Sequence, residues 1–177
     1  ETFRTLNNNE IRKLNDIAQK YNIKYQNKHK LDLVDEILSN VDVIPNSIVL
    51  AQAAIESGWG KSRFAKEYNA LFGEYTYDDS EGVIPLEREN GDTHLIKAFS
   101  SYSNSVESYF DNINSHYAYE DFRDIRNIMR KRNNFSNVNL LVNKLSTYAE
   151  DENYIKTIRQ VIKTTVSYTH LRAHETS

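Results

Sequence analysis

The sequence has 177 residues, of which 39% are hydrophobic and 27% are charged, and this balance suits one globular domain with a real core. A formal net charge of -3 excludes the basic surface expected of a nucleic-acid-binding protein, and the lack of cysteine excludes disulfides and thiolate metal sites. No apolar run approaches the roughly 20 residues that span a membrane. The chain begins at Glu1 without an initiator methionine, which indicates a fragment, so any membrane association would depend on a preceding segment.

Two helices are predicted at the start of the chain. Apolar residues with helical spacing predict one helix over 7–21, capped by the asparagine run 7–9, and another over about 29–39. We assign both to an N-terminal helical segment, residues 1–44, that packs on a catalytic domain of residues 45–165.

A third helix follows Pro45, which breaks the chain. Asn46 or Ser47 is positioned to cap it, and it is predicted to end at Ser57-Gly58. Its residues are apolar nearly all round, which predicts burial on most sides.

The middle of the chain has a different character. A short helix is predicted over 62–68, and helical periodicity is then lost over about 72–100. Short β-compatible stretches at 72–77 and 94–99 predict a small irregular β lobe or hairpin inserted between helices. All five glycines lie between Gly58 and Gly91, so turn-making freedom is concentrated here.

Helical spacing resumes at Ser103 and continues in four apolar stripes to Ile162. Residues 166–177 do not continue an amphipathic face and resemble a translated cloning adaptor. His170 and His174 have the i, i+4 spacing of a helical metal site, but we assign the stretch to a non-native or disordered tail. We predict no metal and no cofactor.

Glu56 is the residue with the clearest chemical signal. It follows the apolar run of the third helix and precedes Gly58-Trp59-Gly60. Low dielectric and the negative end of a helix dipole both disfavour a charged carboxyl at this position. A glutamic acid kept protonated near neutral pH is what a glycosidase needs to protonate the leaving oxygen. The alternative is a glutamate that simply reaches solvent as the helix ends.

A series of motifs in order resembles the bacterial β-N-acetylglucosaminidases of glycoside hydrolase family 73, in the lysozyme-like superfamily, and within them the Bax-type proteins. The resemblance covers about residues 43–163. It rests on residues 51–65 (AQAAIESGWGKSRFA), 69–73 (NALFG), 82–85 (GVIP), Phe99 through Ser105-Val106 and Tyr109, 112–116 (NINSH), Ala118-Tyr119, Phe122-Arg123, Arg126, 145–149 (LSTYA) and Tyr154-Ile155.

This resemblance implies a fold, an activity and a set of site residues. The fold is mainly α (α+β), a lysozyme-like helical domain with a small β lobe and a groove between lobes for an extended polysaccharide. Glu56 aligns with the general acid of the family and Tyr148 with a tyrosine near that acid. Asn69 and Phe72 align with the motif that starts the β lobe and lines the groove. The local sequence, apart from the resemblance, adds three predicted substrate-binding residues: Trp59, which is placed to pack beneath the site, Glu74, which directly follows Gly73, and Tyr119.

The second catalytic carboxylate is left open. Glycosidases commonly use two, about 5 Å apart when retaining and about 6.5–9.5 Å apart when inverting. Among the acidic residues of the β lobe we favour Glu87 or Glu89. Attack by the acetamido group of the substrate itself is the alternative, and it needs no second carboxylate.

Several other residues have two interpretations each. Tyrosines on the later helices either stack on sugars or pack at the edge of the core, the second being the more common outcome at this spacing: Tyr102, Tyr109, Tyr117 and Tyr119. His116 is interpreted as a helix-end structural residue. A basic stretch forms either a solvated face or a site for anionic wall polymers: Arg123, Arg126, Arg130, Lys131 and Arg132.

The sequence therefore predicts a peptidoglycan hydrolase that cleaves the β-1,4 bond after N-acetylglucosamine and acts in the periplasm or cell envelope on glycan strands. A muramidase or lytic transglycosylase is the first alternative. A non-catalytic peptidoglycan-binding module of the same fold is the second.

Overall fold

The computed structural model describes residues 6–24, 30–85, 93–135, 137–149 and 151–175, and for 30, 31 and 166–175 the backbone alone. Eight α-helices and three short strands lie in these ranges: α1 Asn8–Lys20, α2 Lys30–Asn40, α3 Asn46–Glu56, α4 Arg63–Tyr68, β1 Tyr75–Thr76, β2 Gly82–Val83, β3 Leu95–Lys97, α5 Tyr102–Ser115, α6 Glu120–Lys131, α7 Asn139–Val142 and α8 Tyr154–Glu175. A short 3-10 helix, Tyr117–Tyr119, precedes α6. The predicted fold class, mainly α and lysozyme-like with a small β lobe, is confirmed.

Residue contacts divide the chain into two units. The first, which we name the helical unit, contains Glu1–Val43 and Asp111–Lys144, and the second, the β-lobe unit, contains Ile44–Phe110 and Leu145–Ser177. The domain boundaries predicted from the sequence, at 44 and 165, stay predictions. No helix in the described ranges has the length and apolar character needed to cross a membrane.

The helical unit begins with a capped helix. The Asn7 side chain accepts from the backbone amides of Asn9 and Glu10, while the Glu10 carboxylate accepts from the Asn7 amide, so two free amides at the helix start are satisfied. The predicted asparagine cap is thus confirmed at Asn7. Helices α1 and α2 then enclose a small apolar core: Ala18, Ile23, Leu33 and Ile37.

A buried arginine organises the end of α2 in the same unit. The Arg126 side chain, on α6, is 0% exposed. Its guanidinium donates to the carbonyls of Asn40 at 2.7 Å and Asp42 at 3.1 Å, and to the Asn114 side-chain oxygen at 2.8 Å. The carbonyls at a helix C-terminus lack hydrogen-bond donors within the helix, and the Arg126 guanidinium provides those donors. The solvated basic face expected from the sequence is therefore wrong for Arg126, and also for Arg123, which is buried.

In the β-lobe unit, α3 follows Pro45 as predicted, but its N-cap is Pro45 itself. No side chain caps the helix, and the Pro45 carbonyl accepts from the amides of Ile48 and Val49. The prediction of a cap at Asn46 or Ser47 is wrong. Burial is also more one-sided than the all-round apolar pattern predicts, because Leu50 is 60% exposed.

The β lobe is a three-stranded antiparallel sheet in the order β1-β3-β2. Tyr75 pairs with Ile96 on one side of β3, and Gly82 pairs with Lys97 on the other. Strands β1 and β3 lie within the two predicted β stretches, whereas β2, which begins at Gly82, lies outside both and was not predicted. Gly82 has to be glycine, since a Cβ there would lie 2.5 Å from the Leu95 Cβ.

The last helix, α8, runs to Glu175, past the position where the amphipathic pattern ends. Its first half packs against α3 in the β-lobe unit. This packing brings the side chain of Tyr154, at the start of α8, to the end of α3. The origin of residues 166–177 stays a prediction.

Candidate active site

Glu56 is the last residue of α3, and its side chain is half-buried. Burial raises the pKa of the Glu56 carboxyl above its ordinary value, and a hydrogen bond from the Tyr154 hydroxyl lowers it in part. The effect of burial is the larger of the two. The side chain therefore holds its proton at a higher pH than an exposed glutamate does.

Gly73 lies against the other side of this carboxyl. Its φ is +60°, in the left-handed region that glycine adopts without strain. A Cβ at this position would lie 3.5 Å from Glu56 Oε2. The glycine thus leaves one carboxyl oxygen without a neighbouring side chain from residue 73.

A chain of hydrogen bonds between buried side chains ends on the Glu56 carboxyl. The Tyr109 hydroxyl donates to Gln52 Oε1 at 2.6 Å, and Gln52 Nε2 donates to the Tyr154 hydroxyl oxygen at 2.9 Å. The Tyr154 hydroxyl then donates to Glu56 Oε1 at 2.8 Å. Gln52 and Tyr109 are 0% exposed and Tyr154 is 3% exposed, so these hydrogen bonds are shielded from water.

The tyrosines of this region stay protonated across the physiological range. Burial, followed by the charge of Glu56, raises the pKa of Tyr154. Burial is also the largest cause that raises the pKa of Tyr148 well above its ordinary value. Both hydroxyls are therefore hydrogen-bond donors wherever Glu56 changes its charge.

Tyr148, the predicted partner of the acid, packs in an aromatic group next to it. Its ring is parallel to that of Tyr154 with 5.9 Å between centroids, and its hydroxyl donates to the Phe72 carbonyl at 3.0 Å. Phe72 stacks on Tyr109 at 4.1 Å. Because Phe72 is 2% exposed, its side chain is part of the core, which corrects the prediction that it lines the groove.

Glu74 is a second carboxylate near this group. Its Oε2 accepts from the Ser108 hydroxyl at 3.0 Å, and its charge, like that of Glu56, contributes to the raised pKa of Tyr148. Glu87 and Glu89, the predicted second catalytic acids, lie outside the described residues. Their role stays a prediction.

The turn after Glu56 has an unusual backbone. Gly58, Trp59 and Gly60 all have positive φ, at 56°, 59° and 71°. A tryptophan seldom adopts this conformation, and here its amide donates to the Ala54 carbonyl at 2.7 Å. The Trp59 side chain is 65% exposed, so the expectation that it packs beneath the site is wrong.

Asn69 ends α4 in the left-handed conformation, with φ of 53°. Its side-chain amide donates to the Phe99 carbonyl at 2.9 Å. Since residue 69 precedes the β lobe and residue 99 follows it, this hydrogen bond joins the two ends of the lobe. The Asn69 side chain therefore stabilises the β lobe through this hydrogen bond.

The other predicted residues lie elsewhere. Tyr119 is 6% exposed and belongs to the helical unit, and its predicted contact with substrate stays a prediction. His116 caps the 3-10 helix by accepting from the Ala118 amide, as expected of a structural histidine. Within the described ranges, no cluster of three or more acidic or histidine side chains is arranged to hold a metal ion.

Two residues of the site were missed from the sequence, Gln52 and Tyr154. Gln52 is a polar residue within an apolar helix and lies one turn before Glu56, so both side chains point to the same face. That spacing was a usable signal. Tyr154 is among the motifs of the resemblance, but its spacing is that of an ordinary core residue of α8, so no local pattern assigned it to the site.

The comparison with known proteins agrees with these motifs. The family model for glucosaminidases, described as mannosyl-glycoprotein endo-beta-N-acetylglucosaminidase, matches residues 31–166. The chain therefore belongs to the glucosaminidase family, and the resemblance predicted from its motifs is confirmed. No solved structure matches the chain.

Curated relatives include Protein bax of Escherichia coli strain K12, which is 34% identical over 137 residues, or 77% of this chain and 48% of that protein. Peptidoglycan hydrolase FlgJ of the same strain is 35% identical over 92 residues, or 46% of this chain and 29% of that protein. The FlgJ of Salmonella typhimurium is 34% identical over 92 residues. The chain thus spans about half the length of the first relative and less than a third of the second.

Proposed function

We propose that this chain hydrolyses peptidoglycan at the β-1,4 bond after N-acetylglucosamine, with Glu56 as the general acid. The observation that carries the proposal is the half-buried Glu56 carboxyl, whose pKa burial raises. A carboxyl that keeps its proton near neutral pH donates it to the glycosidic oxygen as the bond breaks. The leaving sugar then departs as a neutral alcohol.

Membership of the glucosaminidase family supports the reaction, and the printed name of FlgJ supports the substrate. FlgJ is similar to this chain over 46% of its residues. Peptidoglycan strands are the proposed partner on this basis. Such a substrate lies outside the cytoplasmic membrane, so we propose action in the periplasm or cell envelope.

Trp59 is the best candidate for direct contact with the sugar. Its ring is exposed, and it is three residues from Glu56 on a turn whose backbone is held by hydrogen bonds. Aromatic rings offer a flat apolar face on which the C–H groups of a sugar pack. Glu74 is a candidate for contact with the sugar hydroxyls, and Tyr148 for alignment of the acid.

The group that completes the reaction is Glu87 or Glu89 in our proposal, or else the substrate acetamido group. A carboxylate would act either as a nucleophile or as a base that activates water. The acetamido route would need no carboxylate opposite Glu56. Single substitutions of Glu87 and Glu89 by glutamine separate these routes, because the acetamido route predicts that activity survives both.

The main test is digestion of purified peptidoglycan by the wild type and by Glu56→Gln. We expect loss of activity by a factor of about 10² to 10⁴, the usual contribution of a general acid. Glu67→Gln is the matched control, since Glu67 is an exposed glutamate on α4 that pairs only loosely with Arg63, at 4.0 Å. It should digest peptidoglycan at the wild-type rate.

The products of the same digestion decide the bond. New N-acetylglucosamine reducing ends support the proposal. New N-acetylmuramic acid reducing ends would indicate a muramidase, and 1,6-anhydro muropeptides a lytic transglycosylase. Saturable binding to sacculi without release of soluble fragments would instead indicate a binding module, and equal activity of Glu56→Gln and wild type would remove Glu56 from the mechanism.

A further inference from the structure

We propose that Gln52 and Tyr154 are positioning residues for Glu56, and that their directed chain of hydrogen bonds places the transferable proton on Glu56 Oε2. The consequence for catalysis rests on the proposed function of Glu56 as an acid. The position of the proton does not, and it is tested separately below.

The direction of the chain follows from the number of protons available. The Tyr154 hydroxyl has one proton and donates it to Glu56 Oε1 at 2.8 Å. Its oxygen accepts from Gln52 Nε2 at 2.9 Å. A proton on Glu56 Oε1 would face the Tyr154 proton, so the neutral acid carries its proton on Oε2.

Gln52 determines this direction because its amide has a donor end and an acceptor end. The acceptor end is occupied by the Tyr109 hydroxyl at 2.6 Å, which leaves the amino group for Tyr154. If the amide were reversed, its carbonyl would face Tyr154 and draw the hydroxyl proton away from Glu56. With Tyr109 donating to its carbonyl end, Gln52 has the orientation in which its amino group donates to Tyr154.

Burial strengthens each bond of the chain. Gln52 and Tyr109 are fully buried and Tyr154 is nearly so, and hydrogen bonds in a low-dielectric interior polarise one another. The Oε2 atom is on the side of Gly73, which has no side chain of its own to place against it. The Glu56 carboxyl thus has one oxygen, Oε1, that is held by Tyr154, and another, Oε2, that can deliver the proton.

Two titratable side chains of the described part of the β-lobe unit interact with this carboxyl, Tyr154 from α8 and Tyr148 from the segment before α8. Tyr109 from α5 and Glu74 from the segment before β1 interact in turn with Tyr148. Burial keeps the hydroxyls of Tyr148 and Tyr154 protonated. Donation by Tyr154 stabilises the Glu56 carboxylate, so its removal should raise the pKa of Glu56.

The first test is the pH profile of kcat in Tyr154→Phe. An acid must be protonated to act, so the alkaline limb should move to higher pH, by about one unit for a lost hydrogen bond to a charged group. The kcat at the optimum should fall about tenfold because the carboxyl is less well oriented. Tyr21→Phe is the matched control, since Tyr21 donates to the Asp111 carboxylate at the same 2.8 Å within the helical unit. Its alkaline limb should not move.

Gln52→Met tests the chain of hydrogen bonds itself, because it removes both hydrogen bonds of the Gln52 amide while the side chain keeps nearly the same length. It should move the alkaline limb in the same direction as Tyr154→Phe and by less. The double variant should move the limb no further than Tyr154→Phe alone, since Gln52 acts through Tyr154. Additive shifts would overturn the chain, and an unmoved limb in folded Tyr154→Phe would overturn the role of Tyr154.

Carbon-13 NMR titration of the glutamate carboxyls provides a readout that needs no activity. The Glu56 signal is assigned by its loss in Glu56→Gln, and its midpoint should rise in Tyr154→Phe and stay in place in Tyr21→Phe. If the midpoint rises while the wild type releases nothing from peptidoglycan, the proposed function fails and the positioning inference stands. An unmoved midpoint overturns the positioning inference whether or not the chain is a hydrolase. If Tyr154→Phe does not fold, the same midpoint in Gln52→Met decides.

Discussion

Each of the two units holds a charged side chain away from solvent, fully buried Arg126 in the helical unit and half-buried Glu56 in the β-lobe unit, and the surroundings of the two differ. In the helical unit, the Arg126 guanidinium donates to four backbone carbonyls and one side-chain oxygen. In the β-lobe unit, one hydrogen bond to the Glu56 carboxyl is found among the described residues, from Tyr154. Burial lowers the pKa of Arg126 to about 10, which leaves it charged at neutral pH, whereas burial raises the pKa of Glu56 above its ordinary value of 4.5 and so favours the neutral form.

The difference separates a structural charge from a reactive one. Hydrogen bonds from several partners stabilise the charged form of a buried ion, and removal of one partner lowers the stability of the fold. A partly buried acid with a single donor is shifted toward its neutral form, which is the form that can donate a proton. The number and geometry of partners therefore distinguish the two functions better than burial does.

The largest effect on stability that we expect comes from Arg126→Met. It leaves the carbonyls at the end of α2 buried without donors, and the free energy of unfolding should fall by about 3 kcal/mol. Chemical denaturation measures this loss. Arg130→Met is the control on the same helix, since Arg130 pairs with Asp42 at the surface and should cost less than about 1 kcal/mol. Equal losses from the two variants would contradict the structural role of Arg126.

A smaller effect is expected from Gly73→Ala, which adds a methyl group beside the open side of Glu56. The positive φ should cost about 1 kcal/mol of stability. The added carbon, 3.5 Å from Oε2, should also exclude water and raise the midpoint of the Glu56 titration. Gly58→Ala separates the two effects, because its φ is +56° and a Cβ there meets nothing within 4 Å. Gly58→Ala should lose a similar amount of stability, but the midpoint of the Glu56 titration should not rise as it does in Gly73→Ala.

The smallest effect concerns the stability of Glu56→Gln. A carboxyl whose pKa is raised by folding stabilises the folded state below its unfolded pKa and loses that contribution as pH rises through the folded value. Glutamine has no charge to desolvate. The melting temperature of Glu56→Gln relative to wild type should therefore increase between about pH 4 and pH 8. A difference that is flat with pH would mean that folding does not perturb Glu56.

Local patterns explain what could be predicted. The helices α1 and α2 follow from apolar spacing, and the cap of α1 at Asn7 acts over only three residues. Glu56 was found for the same reason, since an acidic residue at the end of an apolar helix is visible in one short stretch. The errors at Phe72 and Arg126 have a common cause, because motif matching and composition do not reveal which side of an element faces the core.

By itself, the sequence determined the family, the mainly helical class and the position of Glu56 on α3, because these depend on residues close together along the chain. Only the tertiary structure decided what touches Glu56. Tyr154 is 98 residues away in the chain, and Tyr109 is 57 residues from Gln52. Such contacts arise when helices pack, and packing is set by the burial of whole faces and not by any one residue. The chemistry of the Glu56 acid therefore depends on neighbours, Tyr154 and Tyr109, that are distant in the sequence and that local patterns do not identify.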